Sequence, residues 1–284
     1  MTKILYLSGA TGADYQCDML MHGLRTLLGS DLVDVNRLDF MYRDWPHPPF
    51  YSIYGLLDEP DGIDRTDIEA KIANHYFDLI VYGSIHRFRQ CMDLVWQHYP
   101  PNKVIYIDGE DDHSTIILGN TGIYFKRELA DIHPSSYLPI QFCIPKEKIR
   151  PIDLSRKTRL MSPLIPGDTS TYIYYGDESK YYDQYSESYF GRTKKKGGWD
   201  CCRHHEILAA GTLPYFQDFE NCPPLTLFNF NRSLIKMAKE MYDSWSDDHW
   251  QVEVYETVLS QLQEFSLTTT EAMAKYVLDT VGAA

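Results

Sequence analysis

The sequence predicts an α/β protein with parallel sheets, and two features carry that expectation. Strand-length apolar runs at residues 4–8, 32–35, 79–82 and 104–107 alternate with helical patterns at 14–28, 68–77 and 88–99. The runs lack a polar face, as strands do when helices cover both sides of a parallel sheet. Length is the second feature. A chain of 284 residues holds one large or two small domains with a sizeable core. The proline-bearing stretch at 131–151 implies a crossover, with an N-terminal lobe over 1–149 and a C-terminal lobe over 150–284.

In chain order, the first run ends in Gly9-Ala10-Thr11-Gly12, and Asp14 stands where a helix cap is wanted before the pattern that Gly29 closes. Gly9 and Gly12 match the opening of a dinucleotide fingerprint, but Tyr15 occupies the place of its third glycine. The Tyr99 and Lys103 pair that a short-chain reductase would need is interrupted by Pro100 and Pro101, so a Rossmann-type nicotinamide oxidoreductase is set aside. Residues 44–51 are too rich in proline for regular structure and form a long loop. Its Trp45, Phe50 and Tyr51, with Tyr54 beyond, either cover a bound acceptor or pack on the core edge. The third run ends at Ser84, His86 and Arg87, and the fourth at Asp108, Glu110, Asp111 and Asp112; ligands of open α/β sheets bind at such carboxyl ends. The acidic group lacks the spacing of a calcium loop, and no metal is expected there. A last strand of the first half is expected within 138–144. The second half begins at 158–165, with a strand at 172–175 and a helix at 179–189 leading to a strand end at Phe190. Helices are expected at 231–245, 252–265 and 271–281, the last opened by a capping box from Thr268 to Glu271.

Chemistry concentrates in residues 192–218. Lys194, Lys195 and Lys196 gather positive charge just before Gly197 and Gly198, where backbone amides can approach an anion without a Cβ in the way. Asp200 stands as the cap of a helix over 201–210 that Gly211 ends, and a buried strand follows at 213–216. Within that helix Arg203 and Glu206 lie at i and i+3 on one stripe. An anion at the helix start, with a carboxylate one turn further in for a sugar hydroxyl, is a coherent site. The alternative is a solvated lysine run beside a weak surface ion pair. Cys201, Cys202, His204, His205 and Cys222 do not read as a zinc site, because neighbours on a helix diverge and no Cys-x-x-Cys pair is present.

The order Gly197, Gly198, Asp200, Arg203, Glu206, Ala209, Ala210, Gly211 and Pro214 resembles the donor-site signature of GT-B glycosyltransferases, with the exostosin-like and related families nearest. The resemblance is concentrated in about this one segment. It implies a GT-B-like α/β fold: two Rossmann-like lobes with a cleft between them and a helical C-terminal tail. It also implies transfer of a hexose or pentose from a UDP-, GDP- or dTDP-sugar to an acceptor hydroxyl, with the nucleotide sugar as co-substrate and no cofactor. Lys194, Lys195, Lys196, Gly197, Gly198 and Arg203 would face the diphosphate, Glu206 would accept a ribose or sugar hydroxyl, and His204 would line the donor pocket. No Asp-x-Asp metal motif is present, so the cationic loop and helix start would stabilise the leaving group electrostatically. Asp14 is the first choice of general base from the N-terminal lobe, followed by His86 and Asp108. Gly9, Gly12, Arg87 and Trp45 are expected on the acceptor side.

A net charge of −13 argues against a broad footprint for nucleic-acid backbone and leaves the basic character local. Six cysteines without a signal peptide or regular framework fit reduced thiols in the cytoplasm, and no apolar run is long enough to span a bilayer. The 22 tyrosines suit carbohydrate stacking as well as ordinary interfaces. A glycan, a small molecule, a protein or a modified nucleobase all remain open as acceptor. The alternative function is a noncatalytic regulator that binds a nucleotide or phosphate.

Overall fold

The computed structural model describes residues 2–9, 12–47, 52–116, 118–119, 122–172, 177–246 and 251–283. The four apolar runs of the first half become parallel neighbours: β1 (Ile4–Leu7), β2 (Leu32–Asp34), β3 (Leu79–Tyr82) and β4 (Val104–Asp108). With β5 (Ile123–Lys126) and β6 (Leu138–Pro139) they form a six-stranded sheet in the order β2-β1-β3-β4-β5-β6. Successive side chains go to opposite cores. Ile4 and Tyr6, Leu79 and Val81, and Ile105 and Ile107 share one cluster. Leu5 and Leu7, Ile80 and Tyr82, and Val104 and Tyr106 share another. Both faces are therefore dry, which is why these strands show no polar alternation. The helices α1 (Tyr15–Leu28), α2 (Ile68–Ala73) and α3 (Met92–His98) connect them. Asp14 caps α1 by accepting from the Cys17 amide, and Gly29 closes it at φ 55°.

A second parallel sheet holds β7 (Arg159–Met161), β8 (Ser188–Thr193) and β9 (Leu213–Phe216) in that order. The helices α4 (Glu178–Ser186), α5 (Cys202–Ala209), α6 (Arg232–Asp243) and α7 (Val252–Ser266) belong to this half of the chain. The last helix, α8 (Thr270–Thr280), returns to the first sheet and puts Met273, Ala274, Val277 and Leu278 into its core. It lies so close to α1 that a Cβ on Gly23 would overlap the Thr270 carbonyl. His22 Nδ1 and Thr270 Oγ1 are 2.8 Å apart across this contact.

One strand is added and four expectations are corrected. The sequence pattern did not announce β5; its four residues pair with β4 from Ile105 to Asp108 and carry the chain to Arg127 and Glu128. The strand expected over 138–144 pairs only at Leu138 and Pro139, because beyond them other partners take the backbone. The Phe142 amide goes to Asp200, the Cys143 amide to the Met19 sulfur, and Ile144 pairs with Thr269. Tyr172 is outside any strand, and the rest of the strand expected over 172–175 lies outside the described residues, as do Phe50 and Tyr51. The cap of α5 is Cys201 rather than Asp200. The cap of α8 is Thr269 rather than Thr268, whose hydroxyl is engaged by Gln141 and Asn229.

Candidate active site

Residues that follow the carboxyl ends of β1, β4, β6 and β8 line one cavity of about 200 Å³. Tyr15, Asp111 and Phe142 come from the first half, and Tyr172, Lys196, Gly197, Arg203 and Glu206 from the second. Cys201 enters α5 extended, at φ −131° and ψ 140°, and makes no side-chain cap. The first amides of a helix have no partner within it, so an uncapped start beside Lys196 and Arg203 favours an anion.

Sequence reasoning missed what holds this loop. Glu128 accepts from the Trp199 amide at 3.0 Å and the Asp200 amide at 2.9 Å, while Arg127 donates to Glu128 at 3.0 Å and to the Asp200 carbonyl at 2.5 Å. Arg127 also pairs with Asp111 and lies 4.3 Å from the centre of the Phe142 ring. Asp200 accepts from the Phe142 amide at 2.6 Å and faces His205 Nε2 at 3.1 Å. Burial alone would raise the Asp200 carboxyl, but His205 and Arg127 hold it below the usual range. A short apolar run before Arg127 and Glu128 was the only available signal for this clamp.

The two glycines answer to these carboxylates. A Cβ on Gly197 would collide with Asp111, and one on Gly198 with Glu128. Asp111 is 64% exposed and can swing away, whereas Glu128 is pinned by three donors. Gly198→Ala is therefore expected to lower stability by about 1–3 kcal/mol, as overpacking does, and Gly197→Ala by clearly less. Paired denaturant unfolding curves check the order; equal losses would show that Glu128 yields as readily as Asp111.

Arg203 and Glu206 are both buried, so the surface ion pair is not what forms. Arg203 donates from Nε to Thr193 Oγ1 at 3.0 Å and from Nη2 to the Lys194 carbonyl at 3.0 Å. Glu206 accepts from Ser52 at 2.8 Å and from Tyr181 at 2.7 Å. Burial raises its pKa, against the opposing pull of these hydroxyls and Arg203. His204 does not line the cavity: its ring nitrogens face Thr193 Oγ1 at 2.7 Å and the Trp199 carbonyl at 2.8 Å, and burial pushes it down to about 3. Lys194 is exposed, and Lys195 lies 5.2 Å from the centre of the Trp199 ring.

On the first-half side, Asp14 accepts from Ser84 Oγ at 2.6 Å and lies 3.4 Å from Arg87, which also pairs with Glu110 at 2.9 Å. Asp108 is fully buried, with Lys126 Nζ at 2.9 Å, Tyr124 at 2.6 Å, His86 Nε2 at 2.9 Å and the Glu110 amide at 3.2 Å, and of these partners the half-buried His86 ring is a link towards the site. Among the described residues, an added Cβ at Gly9 or Gly12 would meet nothing within 4 Å. Trp45 packs on the first core, away from the cavity lining, and its buried indole nitrogen finds no hydrogen-bond partner among the described residues. Among the described residues no cluster of metal-binding side chains occurs.

No protein-family model matches the chain, and no curated protein sequence matches it. Solved structures do. An alpha-glucosyltransferase in complex with UDP and a 13-mer DNA containing a HMU base aligns over 99% of both chains, at a TM-score of 0.53 and 11% identity. An alpha-glucosyltransferase in complex with UDP aligns over 99% of both at a TM-score of 0.51 and 12% identity. A further complex with UDP and HMU-containing DNA covers 99% of this chain and 98% of that one, at 0.50 and 13%. The likeness is one of fold, and the chain has the GT-B-like α/β fold of these alpha-glucosyltransferases.

Proposed function

We propose that the protein is a nucleotide-sugar-dependent glycosyltransferase, with a UDP-sugar as donor and an acceptor hydroxyl bound on the side of the first sheet. The observation that carries this reading is a single cavity lined by Lys196, Arg203 and Glu206 at an uncapped helix start. UDP in the structural neighbours supports the choice of nucleotide. In the transfer, a bond forms between the acceptor oxygen and the anomeric carbon while the bond from that carbon to the diphosphate oxygen breaks. Charge growing on the diphosphate would be met by Lys196, Arg203 and the first amides of α5, with Lys194 and Lys195 adding positive potential at the rim. The acceptor proton would pass to Asp14 or to His86, which Asp108 orients. Gly9 and Gly12 leave room for the acceptor, and Arg87 would flank it, while Trp45, packed on the first core, would support that side from behind.

The two sheets support a division into lobes over 1–149 and 150–284, with α8 packing back on the first. Six free thiols support a cytoplasmic location, and among the described residues no helix is long and apolar enough to cross a membrane. HMU-containing DNA, present with two of the neighbours, is the first acceptor to assay. At a net charge of −13, binding a polyanion would depend on local cations such as Lys194 and Lys195.

Calorimetric titration with UDP, GDP and dTDP sugars, with and without chelator, tests the donor. UDP-glucose is expected to bind equally well in chelator, since the lysines and helix start need no metal. Binding that vanishes in chelator and returns with magnesium or manganese would overturn metal independence and bring forward the acidic group after Asp108. Binding without sugar transfer to any acceptor class would favour the regulator.

A further inference from the structure

We propose that Ser52 is a positioning residue for Glu206, so that the nucleotide-sugar site is completed by a loop reaching over from the first sheet. The inference rests on reading Glu206 as the acceptor of donor hydroxyls. Ser52 follows the proline-rich loop and is fully buried. It is anchored from behind: Ile53 lies in the first core, the Gly55 amide donates to the Phe40 carbonyl at 2.9 Å, and the Tyr54 ring packs on Phe40 at 4.8 Å.

Ser52 Oγ donates to Glu206 Oε1 at 2.8 Å and lies 2.9 Å from the Tyr182 hydroxyl. A serine hydroxyl has one proton, so with that proton on Glu206 the tyrosine is the donor in the second contact. Glu206 Oε2 accepts from Tyr181, whose hydroxyl is 2.8 Å from that of Tyr172. Two hydroxyl relays thus converge on one carboxylate, 154 residues from Ser52 in the chain. A carboxylate has about four acceptor sites, and Ser52 and Tyr181 leave capacity for a vicinal diol in the cavity that Glu206 lines.

Among the described residues, the titratable and charged groups facing Glu206 are Arg203 and Cys202 from its own helix, Tyr181, Tyr182, Tyr185 and Glu178 from α4, Tyr15 from α1, and Tyr172 from the segment before α4. Burial raises the Glu206 pKa, and the Tyr181 and Ser52 hydroxyls are the largest opposing influences. Donor hydroxyls bond best to the ionised form, so affinity is full above that pKa and falls as pH drops through it. Removing the Ser52 hydroxyl raises the pKa further and moves the acidic midpoint of donor binding upward.

The test is a UDP-glucose titration by calorimetry between pH 5 and 8 on the wild type, Ser52→Ala and Glu206→Gln. Ser52→Ala is expected to bind about three- to tenfold more weakly at neutral pH, less than the loss of a direct charge-assisted bond to the donor because Ser52 acts only through Glu206, with its midpoint at higher pH. Glu206→Gln is expected to lose that limb of the profile, which assigns the limb to Glu206. A wild type that binds no nucleotide sugar overturns the site reading and this inference together. A wild type that binds, with an unchanged midpoint in Ser52→Ala, overturns the inference alone. Should Ser52→Ala not fold, Tyr182→Phe, which removes the donor to Ser52, takes its place: a raised midpoint supports the proposal and an unchanged one overturns it.

Discussion

Glu206→Gln is expected to weaken UDP-sugar binding by about ten- to a hundredfold, while the free protein melts at nearly the same temperature. Hydrogen bonds to a charged group contribute about 1.5–3 kcal/mol each, and about 1.4 kcal/mol corresponds to one decade of affinity. An amide of the same size keeps the cavity filled but loses the charge and one acceptor oxygen, so a diol held by two charge-assisted bonds is left with weaker partners. Stability changes less because two effects oppose each other. The carboxylate is buried and lifted in pKa by that burial, so neutralising it relieves desolvation, while the bonds from Ser52 and Tyr181 weaken. Calorimetry and thermal unfolding on one preparation separate the readings. Unchanged donor affinity with a lowered melting temperature would make Glu206 a structural carboxylate and remove most of the support for the transferase.

Glu128→Ala is expected to lose about 3–5 kcal/mol of stability, the cost of leaving a buried charge without its partner. Arg127 is fully buried, and Glu128 is one of the groups that neutralise it. The same carboxylate is the acceptor for the Trp199 and Asp200 amides, so its removal also orphans two backbone donors in the interior. The loop before α5 would lose two of its ties to the first half, keeping those from Arg127 and Phe142 to Asp200, and donor affinity should fall with them. Glu128→Gln, which can still accept from one side, is expected to fall between wild type and alanine. Urea unfolding measures both; a loss below about 1 kcal/mol, the scale of an exposed pair, would mean that the clamp contributes little.

Much of this architecture is legible along the chain because its causes are local. The runs that become β1, β3, β4 and β9 are short and apolar on both faces, as strands of a sheet covered on both sides are. Asp14 and Asn231 bond amides three residues ahead, Cys17 and Leu234, so those helix starts can be read from short windows. Lys196, Arg203 and Glu206 come together because a loop and the first turns of one helix place them side by side.

What the sequence could not reveal depends on which strand ends the fold makes neighbours. Asp200 has the right chemistry for a cap, but the Phe142 amide, 58 residues away, and His205 take its oxygens, and the helix starts one residue later. The same competition moves the start of α8 from Thr268 to Thr269. Residues 123–126 become a strand because β4 offers an open edge, and only then do Arg127 and Glu128 reach the loop at 198–200. Ser52 meets Glu206 by the same route. A buried polar group must find a partner or lose the stabilisation of the fold. Local spacing determines which groups are available, and the tertiary arrangement alone decides which of them are paired.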